Sequence, residues 1–337
     1  MSAAVLVSVP LKSTLKRGAL VATANWPVVV IQAVADSLFK ALIAMPLVGG
    51  IFLVAIAVGA EPGALMSLGW RELIGTIVGS LTSRPFMLAA FLLALAIVAA
   101  GGSLFVFLVK GGTIATLVRA ERMAGDIERQ PLGLDVVTGA SAFSVEGFVD
   151  AARTLWPRFV RLGGILLAVY AASAAAYLAI LVARRSAGGW AVAALTTSGF
   201  VAWITLVNFA YLLMQIVIAA DDCSVAAAWS RTAVFVRRRR RAVGAVFLVV
   251  LALVVFATGA SLLATAALGL VSFVPLLGLA VLPLQLIAWL FRGLVFQFIG
   301  LASVGAYGNL YRGRAETAPV EAGLAPGYEP IRPGDLT

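Results

Sequence analysis

Residues 237–270 read RRRRRAVGAVFLVVLALVVFATGASLLATAALGL, five consecutive arginines followed by an uncharged and strongly apolar stretch. About 20 apolar residues are enough for a helix to cross the hydrocarbon core of a bilayer. Arginine and lysine accumulate on the cytoplasmic side of such helices. The stretch therefore predicts a transmembrane helix over residues 242–270 whose N-terminal end lies at the cytoplasmic surface.

Five further stretches have the same character, and together they indicate the fold class. The chain of 337 residues is 62% hydrophobic and only 12% charged, whereas soluble domains carry about 25% charged residues. A segment in lipid must satisfy its backbone groups internally, so the spans are expected to be helices. We predict an all-α polytopic membrane helix bundle with spans at residues 41–60, 85–109, 162–182, 190–219, 242–270 and 275–302.

Charge distribution predicts the orientation of this bundle. Most of the 25 Lys and Arg residues lie in the N-terminal segment, the second and fourth connections and the tail, whereas the opposite loops hold only Arg71, Arg84, Arg184 and Arg185. By the positive-inside rule, both termini are expected to be cytoplasmic. Abundant alanine and arginine with few lysines are typical of a GC-rich bacterial source, so we expect a multi-pass protein of the bacterial inner membrane.

The bundle is predicted to form one domain over residues 26–314, after a cytoplasmic segment of residues 1–25. Residues 315–337 are rich in Ala, Pro, Gly and Glu, and such a composition favours a disordered tail. No cleavable targeting peptide is expected at the N-terminus.

Two connections on the cytoplasmic side contain matching helical segments. Ser144-Val145 aligns with Ser224-Val225, and each segment precedes two predicted spans. Serine is a preferred N-cap residue, so Ser144 is a possible N-cap and predicts a helix start there. The pattern predicts three membrane hairpins, each preceded by a cytoplasmic amphipathic helix. A further surface helix is predicted near residues 66–81 of the first outside loop.

The side chains exclude several classes of chemistry. Cys223 is the only cysteine and there is no histidine, which excludes Cys/His zinc sites and Ser-His-Asp triads. No glycine-rich phosphate loop or nucleophile elbow occurs either. We expect no enzymatic activity, no cofactor and no metal. Asp221-Asp222 invites a metal interpretation, but adjacent helical residues point about 100° apart, so a helix exit and an N-cap for the next helix are favoured.

Several polar residues fall within or beside the spans, where ionisable groups are costly and often functional. Arg292 is buried if the last span covers residues 275–302 and interfacial if that span covers residues 272–291, and both roles stay open. A polar stripe on the fourth span either lines a hydrophilic path around Arg292 or serves hydrogen bonding between helices. The candidates are Arg292, Asn208, Gln215, Gln285, Asp36 and Asp222.

Asp36 has two interpretations of its own. It shares a helical face with Gln32 and Lys40, which lie four residues to either side. This face either forms a polar groove entering the membrane or belongs to an interfacial helix with an Asp36/Lys40 ion pair, which is the favoured interpretation.

The arginine run predicts a binding partner with negative charge. Arg237, Arg238, Arg239, Arg240 and Arg241 abut a span, and anionic headgroups attract a basic residue by about 1 kcal/mol. Membrane lipids with anionic headgroups are therefore the expected partners. Nucleic acid is not expected, because no aromatic stacking pattern accompanies the arginines. Small residues at every fourth position from Ala257 to Gly269 leave a membrane protein partner or a homo-oligomer open.

Several motifs together resemble a known architecture. They are the Asp221-Asp222 helix exit, AAAWSR at residues 226–231 before the arginine run, the matching segment at residues 144–161, and AYGNLYR at residues 306–312. With them the chain resembles bacterial six-helix membrane families of uncharacterised function, including the membrane domain attached to some glycerophosphoryl diester phosphodiesterases. The likeness covers roughly residues 26–314. It implies a fold and a membrane context, and no activity.

The sequence thus favours a non-catalytic inner-membrane protein that acts as a scaffold, a lipid-binding protein or an accessory subunit. The alternative is a transporter or channel with a polar path around Arg292 between the fourth and sixth spans, which requires Arg292 to reach Asn208 or Gln215. A lipid-modifying enzyme would require Asp36, Asp221 or Asp222 to converge with other polar groups in one cleft.

Overall fold

The computed structural model describes residues 11–58, 72, 75, 79, 83–125, 127–128, 134–183, 190–272 and 275–315. Within these ranges every regular element is a helix: α1 (Leu11–Ala24), α2 (Trp26–Val58), α3 (Pro85–Met123), α4 (Leu134–Gly139), α5 (Val145–Ala183), α6 (Trp190–Asp221), α7 (Val225–Arg238), α8 (Arg240–Ser272) and α9 (Pro275–Ala315). The predicted tail and nearly all of the predicted outer surface helix lie outside the described residues.

Six helices among the described residues are long and apolar enough to cross a membrane, namely α2, α3, α5, α6, α8 and α9. The prediction of an all-α polytopic bundle is therefore confirmed. The two helices of each predicted hairpin also contact each other, α2 with α3, α5 with α6 and α8 with α9. Additional contacts between α3 and α5, and between α1 and α9, join the hairpins to one another.

Helix ends differ from the predicted span ends. The predicted interfacial helix around Asp36 and the first span form the single helix α2. Likewise α3 continues past residue 109 to Met123, and α5 runs through Pro157 without a break. Hydropathy predicts which part of a helix lies in the hydrocarbon core. The helix itself can continue beyond that part, because it ends only where its backbone hydrogen bonds are interrupted. The second connection is thus largely helical extension of its neighbouring spans.

Both matching serines cap a helix, and Ser144 does so as predicted. Ser144 Oγ accepts a hydrogen bond from the Gly147 N–H at 3.2 Å, and Ser224 Oγ accepts one from the Ala227 N–H at 3.4 Å. Asp222 does not cap the following helix, and this prediction was wrong. It occupies the left-handed region at φ 46°, and Ser224 takes the cap because its extended backbone can aim the side chain at the first turn.

Buried residues concentrate at one end of the bundle. This basic end comprises α1, α7, the segment between α3 and α5, and the adjoining ends of the spans. Toward the other end large apolar side chains are exposed, including Leu195, Phe256 and Leu263 at 74–75%. Lipid tails solvate such surfaces as well as another helix would. Protein packing therefore orders the basic end, and lipid contacts dominate the remainder.

Helix α1 lies in the segment for which the sequence indicated no structure. It packs on α9 so closely that a Cβ built on Gly18 would lie 2.3 Å from the Ala302 carbonyl oxygen and 2.7 Å from the Ala306 nitrogen. Glycine alone permits this approach between the two backbones. The N-terminal residues thus form part of the bundle.

Asn25 separates α1 from α2 and ties both to the segment before α5. Its side chain is fully buried. The amide donates to the Val21 and Ala140 carbonyls at 3.0 and 3.2 Å, and its oxygen accepts from the Ala142 N–H at 2.9 Å. The buried amide pairs with the Ala140 carbonyl and the Ala142 N–H across the helix break, and the Val21 carbonyl also accepts from the Asn25 backbone N–H.

Candidate functional site

The arginine run lies at the junction of α7 and α8. Arg239 is partly buried and donates to the Gly313 carbonyl at 2.7 Å, which joins the junction to the end of α9. Arg237, Arg238, Arg240 and Arg241 are exposed, and none of them forms an ion pair with another described residue. These four residues, here called the arginine face, therefore present uncompensated positive charge beside a membrane span.

Helix α7 gives this face an amphipathic support. Phe235 and Ala228 are buried on one side of the helix, whereas Trp229 on the other side is 62% exposed. Phe235 packs edge-on against Tyr311, with ring centroids 5.3 Å apart. Tryptophan is enriched at the headgroup level of membranes. The arrangement is suited to hold the arginine face at the lipid surface.

The acidic pair at the end of α6 is engaged in local ion pairs. Asp221 Oδ2 accepts hydrogen bonds from Arg231 and from the Tyr311 hydroxyl, both at 2.6 Å. Asp222 forms an ion pair with Arg158 of α5. Each carboxylate therefore stabilises the packing of neighbouring helices, and the two point to different partners.

A buried charge cluster, which the sequence did not indicate, connects α1, α3 and α9. Arg17 Nε donates to Glu121 at 2.8 Å, and both residues are 2% exposed. Arg17 also pairs with Glu128 at 2.8 Å, and Arg312 approaches Glu121 at 3.4 Å. Burial by itself lowers the pKa of Arg17, but Glu121 and Glu128 outweigh burial and raise that pKa. The guanidinium therefore stays charged, and its partners compensate its desolvation.

We call this cluster the charge latch. It consists of Arg17, Glu121, Glu128 and Arg312 and joins distant parts of the sequence. A gap of 104 residues separates Arg17 from Glu121, and 191 residues separate Glu121 from Arg312. No local pattern could have indicated the pairing, because only the packing of α1 between α3 and α9 creates it. The one available signal was a single acidic residue, Glu121, among the basic residues that end α3.

A second polar cluster lies inside the bundle. Residues from α2, α3 and α6 form this internal polar layer, namely Gln32, Asp36, Lys110, Thr113, Tyr211 and Gln215. Thr113 donates to Gln32 Oε1 at 3.1 Å, and the Lys110 ammonium lies 5.3 Å from the centre of the Tyr211 ring. Gln215 is 2% exposed, and its Nε2 has no hydrogen-bond partner among the described atoms.

Asp36 lies at the edge of this layer. It forms the predicted i,i+4 ion pair with Lys40 at 2.6 Å, and it is close enough to interact electrostatically with Lys110. The ion pair of the favoured interpretation is therefore present, and Gln32 on the same face of α2 is buried.

The other intramembrane candidates do not converge. Arg292 is exposed, and its guanidinium lies over Phe296 of its own helix, with 5.6 Å between Cζ and the ring centroid. Asn208 pairs with Tyr170 of α5, and Gln285 is partly buried on α9. The exposed position of Arg292 gives no support to the predicted path between the fourth and sixth spans, which requires Arg292 to reach Asn208 or Gln215. Helix rotation directs Arg292 outward, and no pattern within one helix determines that rotation.

Three grooves lie between helices of the described bundle. One of about 800 Å³ lies between α6 and α8. It is lined mainly by small and apolar residues, namely Ala193, Ala194, Thr197, Ser198, Val201, Ala202, Thr205, Leu206, Phe247 and Leu251. Smaller apolar grooves, of about 300 and 400 Å³, follow α2 and α9. Their position and lining suit acyl chains rather than a polar solute.

No protein-family model, no curated protein and no solved structure matches the chain. The resemblance to six-helix bacterial membrane families therefore stays a prediction from the motifs. Family membership, activity and partners find no support in these comparisons. The chain is, by its own six helices, a multi-pass membrane protein.

Proposed function

We propose that this protein is a non-catalytic scaffold or accessory subunit of the bacterial inner membrane that binds anionic lipids at a cytoplasmic basic end. The observation that carries the proposal is the arginine face, four exposed arginines without a described ion pair, adjoining the membrane span α8. The charge latch and the Asp221 and Asp222 ion pairs compensate much of the neighbouring basic charge. The arginine face remains available for an external anion.

Phospholipid headgroups match this surface in geometry and in charge. Each basic residue near an anionic leaflet contributes about 1 kcal/mol, so the four arginines contribute up to about 4 kcal/mol. A guanidinium also presents two parallel N–H donors to phosphate oxygens, which a lysine ammonium cannot do. The exposed Trp229 places an aromatic ring beside the same surface.

Replacing Arg237, Arg238, Arg240 and Arg241 together by glutamine tests the proposal. We expect the preference for phosphatidylglycerol over phosphatidylcholine among lipids bound to the purified protein to fall about tenfold or more, because up to about 4 kcal/mol of attraction is removed. Native mass spectrometry of the protein extracted from vesicles of equal phosphatidylglycerol and phosphatidylcholine content measures that preference.

The matched control replaces the same four residues by lysine, which keeps the charge and the exposed positions. Most of the preference for phosphatidylglycerol should survive in this variant. The remaining preference should weaken with added salt, because exposed charges are screened. An unchanged lipid preference in the glutamine variant would refute lipid binding by the arginine face.

Transport of a polar solute is the second candidate function, now through the internal polar layer. The observation that favours it is the buried Gln215 on α6, whose amide nitrogen has no hydrogen-bond partner among the described atoms. Gln215 lies one helical turn from Tyr211, whose ring is 5.3 Å from the Lys110 ammonium. Buried polar groups within membrane bundles commonly mark solute or ion pathways. This path involves α2, α3 and α6, unlike the one that the sequence suggested.

Water access distinguishes transport from a purely structural polar layer. In a Cys223→Ser background, Gln215→Cys should react with a membrane-impermeant thiol reagent if the layer is hydrated. Ile218→Cys is the matched control, because Ile218 is also fully buried on α6 but contacts apolar neighbours. Reaction at residue 215 and protection at residue 218 support a path, and equal protection of both residues removes transport as a candidate.

A further inference from the structure

The groove between α6 and α8 lies on the same face of α8 as one residue of the arginine face. Arg240, Gly244, Phe247 and Leu251 follow one another at spacings of four, three and four, so they share one side of the helix. Phe247 and Leu251 line the groove. Arg240 therefore lies at the head of a helical face that leads directly into it.

Between Arg240 and the groove, the surface of α8 has open space at Gly244. A Cβ built on Gly244 would meet no atom within 4 Å. With a rise of 1.5 Å per residue, Phe247 and Leu251 lie about 10 and 16 Å along α8 from Arg240. Half of a bilayer core is about 15 Å thick. The groove thus begins at a depth that an acyl chain reaches when its phosphate lies at Arg240.

The groove wall on α6 is mostly apolar, and the hydroxyl groups of its two threonines are bonded within the helix. Thr197 donates to the Ala193 carbonyl and Thr205 to the Val201 carbonyl, each at 2.8 Å. These two hydroxyls are therefore bonded within α6, and Ser198 adds one further hydroxyl to the lining. A volume of about 800 Å³ is within the range of pockets that hold organic ligands of substantial size.

We propose that one anionic phospholipid binds here as a discrete ligand, with its phosphate at Arg240 and one acyl chain running past Gly244 into the groove between α6 and α8. The inference rests on the proposed function and adds a specific site to it. Charge complementarity selects the anionic headgroup, and the groove holds the chain. Ordinary surrounding lipid would fill the groove with its chains but would show no selection for an anionic headgroup.

Photocrosslinking in vesicles tests the site with the full chain. Phosphatidylglycerol and phosphatidylcholine, each with a diazirine in one acyl chain, are incorporated separately and the adducts are mapped by mass spectrometry. We expect phosphatidylglycerol to label Phe247, Leu251 and Leu206 about fivefold more than phosphatidylcholine does. Equal labelling by both probes would identify ordinary surrounding lipid and overturn the inference.

Variants separate the headgroup contact from the groove. Arg240→Gln should reduce phosphatidylglycerol labelling to the phosphatidylcholine level, and Arg240→Lys should retain most of it. Gly244→Trp should abolish groove labelling by filling the channel. Gly164→Trp is the matched control, because Gly164 occupies the equivalent position on α5, also has open space around its Cβ position, and does not line the groove.

The two proposals fail in different ways. If the fourfold glutamine variant loses its phosphatidylglycerol preference while Gly244→Trp keeps full labelling at Phe247 and Leu251, lipid binding by the arginine face stands and the groove site is refuted. If Gly244→Trp does not fold, the exposed Arg240→Gln variant alone decides, and unchanged labelling in that variant refutes the site.

Discussion

Glu121→Gln is expected to lower the free energy of unfolding by about 3 kcal/mol. Removing one partner of a buried ion pair leaves an uncompensated charge and costs about 3–5 kcal/mol. The lower value applies because Arg17 keeps its contact with Glu128 at 2.8 Å. Unfolding of the purified protein by sodium dodecyl sulfate, followed by circular dichroism, measures the change.

Glu128→Gln is the matched control for this prediction. The Glu128 side chain is 23% exposed, and Arg17 retains Glu121 in this variant. The expected loss is therefore about 1 kcal/mol or less. The double variant Arg17→Met with Glu121→Gln should recover part of the stability lost in Glu121→Gln, because it removes the stranded charge. Equal small losses in both single variants would show that the charge latch does not stabilise the fold.

Gly18→Leu is expected to lower stability by about 3 kcal/mol or more and to release α1 from α9. The new Cβ would lie 2.3 Å from a backbone oxygen and 2.7 Å from a backbone nitrogen, and backbone atoms cannot move aside as a flexible side chain can. Overpacking of this kind commonly costs about 1–3 kcal/mol, and loss of the α1 contacts adds to it. Trypsin cleavage after Lys12 and Lys16 should become faster in the variant.

Gly164→Leu provides the matched control, because a Cβ at Gly164 would meet no atom within 4 Å. Leucine favours the helix by up to about 1 kcal/mol relative to glycine. The stability of the Gly164→Leu variant should therefore be unchanged or slightly higher, and trypsin should cleave α1 at the wild-type rate. Wild-type cleavage of the Gly18→Leu variant would contradict the packing described for α1.

The charge latch also bears on the lipid surface. It fixes the C-terminal part of α9 against α3 through Arg312, and that same part of α9 accepts the hydrogen bond from Arg239 at Gly313. The arginine face is thus presented by a junction that is held from within the protein. Loss of lipid preference in Glu121→Gln would accordingly reflect misplacement of the junction, since Glu121 itself is buried.

Local patterns predicted much of this protein. Apolar length alone identified six spans, because the cost of exposing a helical segment to water depends on that segment and not on its neighbours. Ser144 was identified as a helix start because a cap forms within one turn of chain. The arginine run was likewise visible as a candidate lipid surface, since charge density is a property of consecutive residues.

Tertiary structure alone decided which polar residues face the interior. Arg292, the most conspicuous candidate in the sequence, is exposed, whereas Gln215 of the polar stripe is buried. The pairing of Arg17 with Glu121, the fit of Gly18 against α9 and the groove below Arg240 were also invisible in the sequence. Each depends on how helices distant in the chain rotate and pack, and hydropathy within a single helix contains no information about its neighbours.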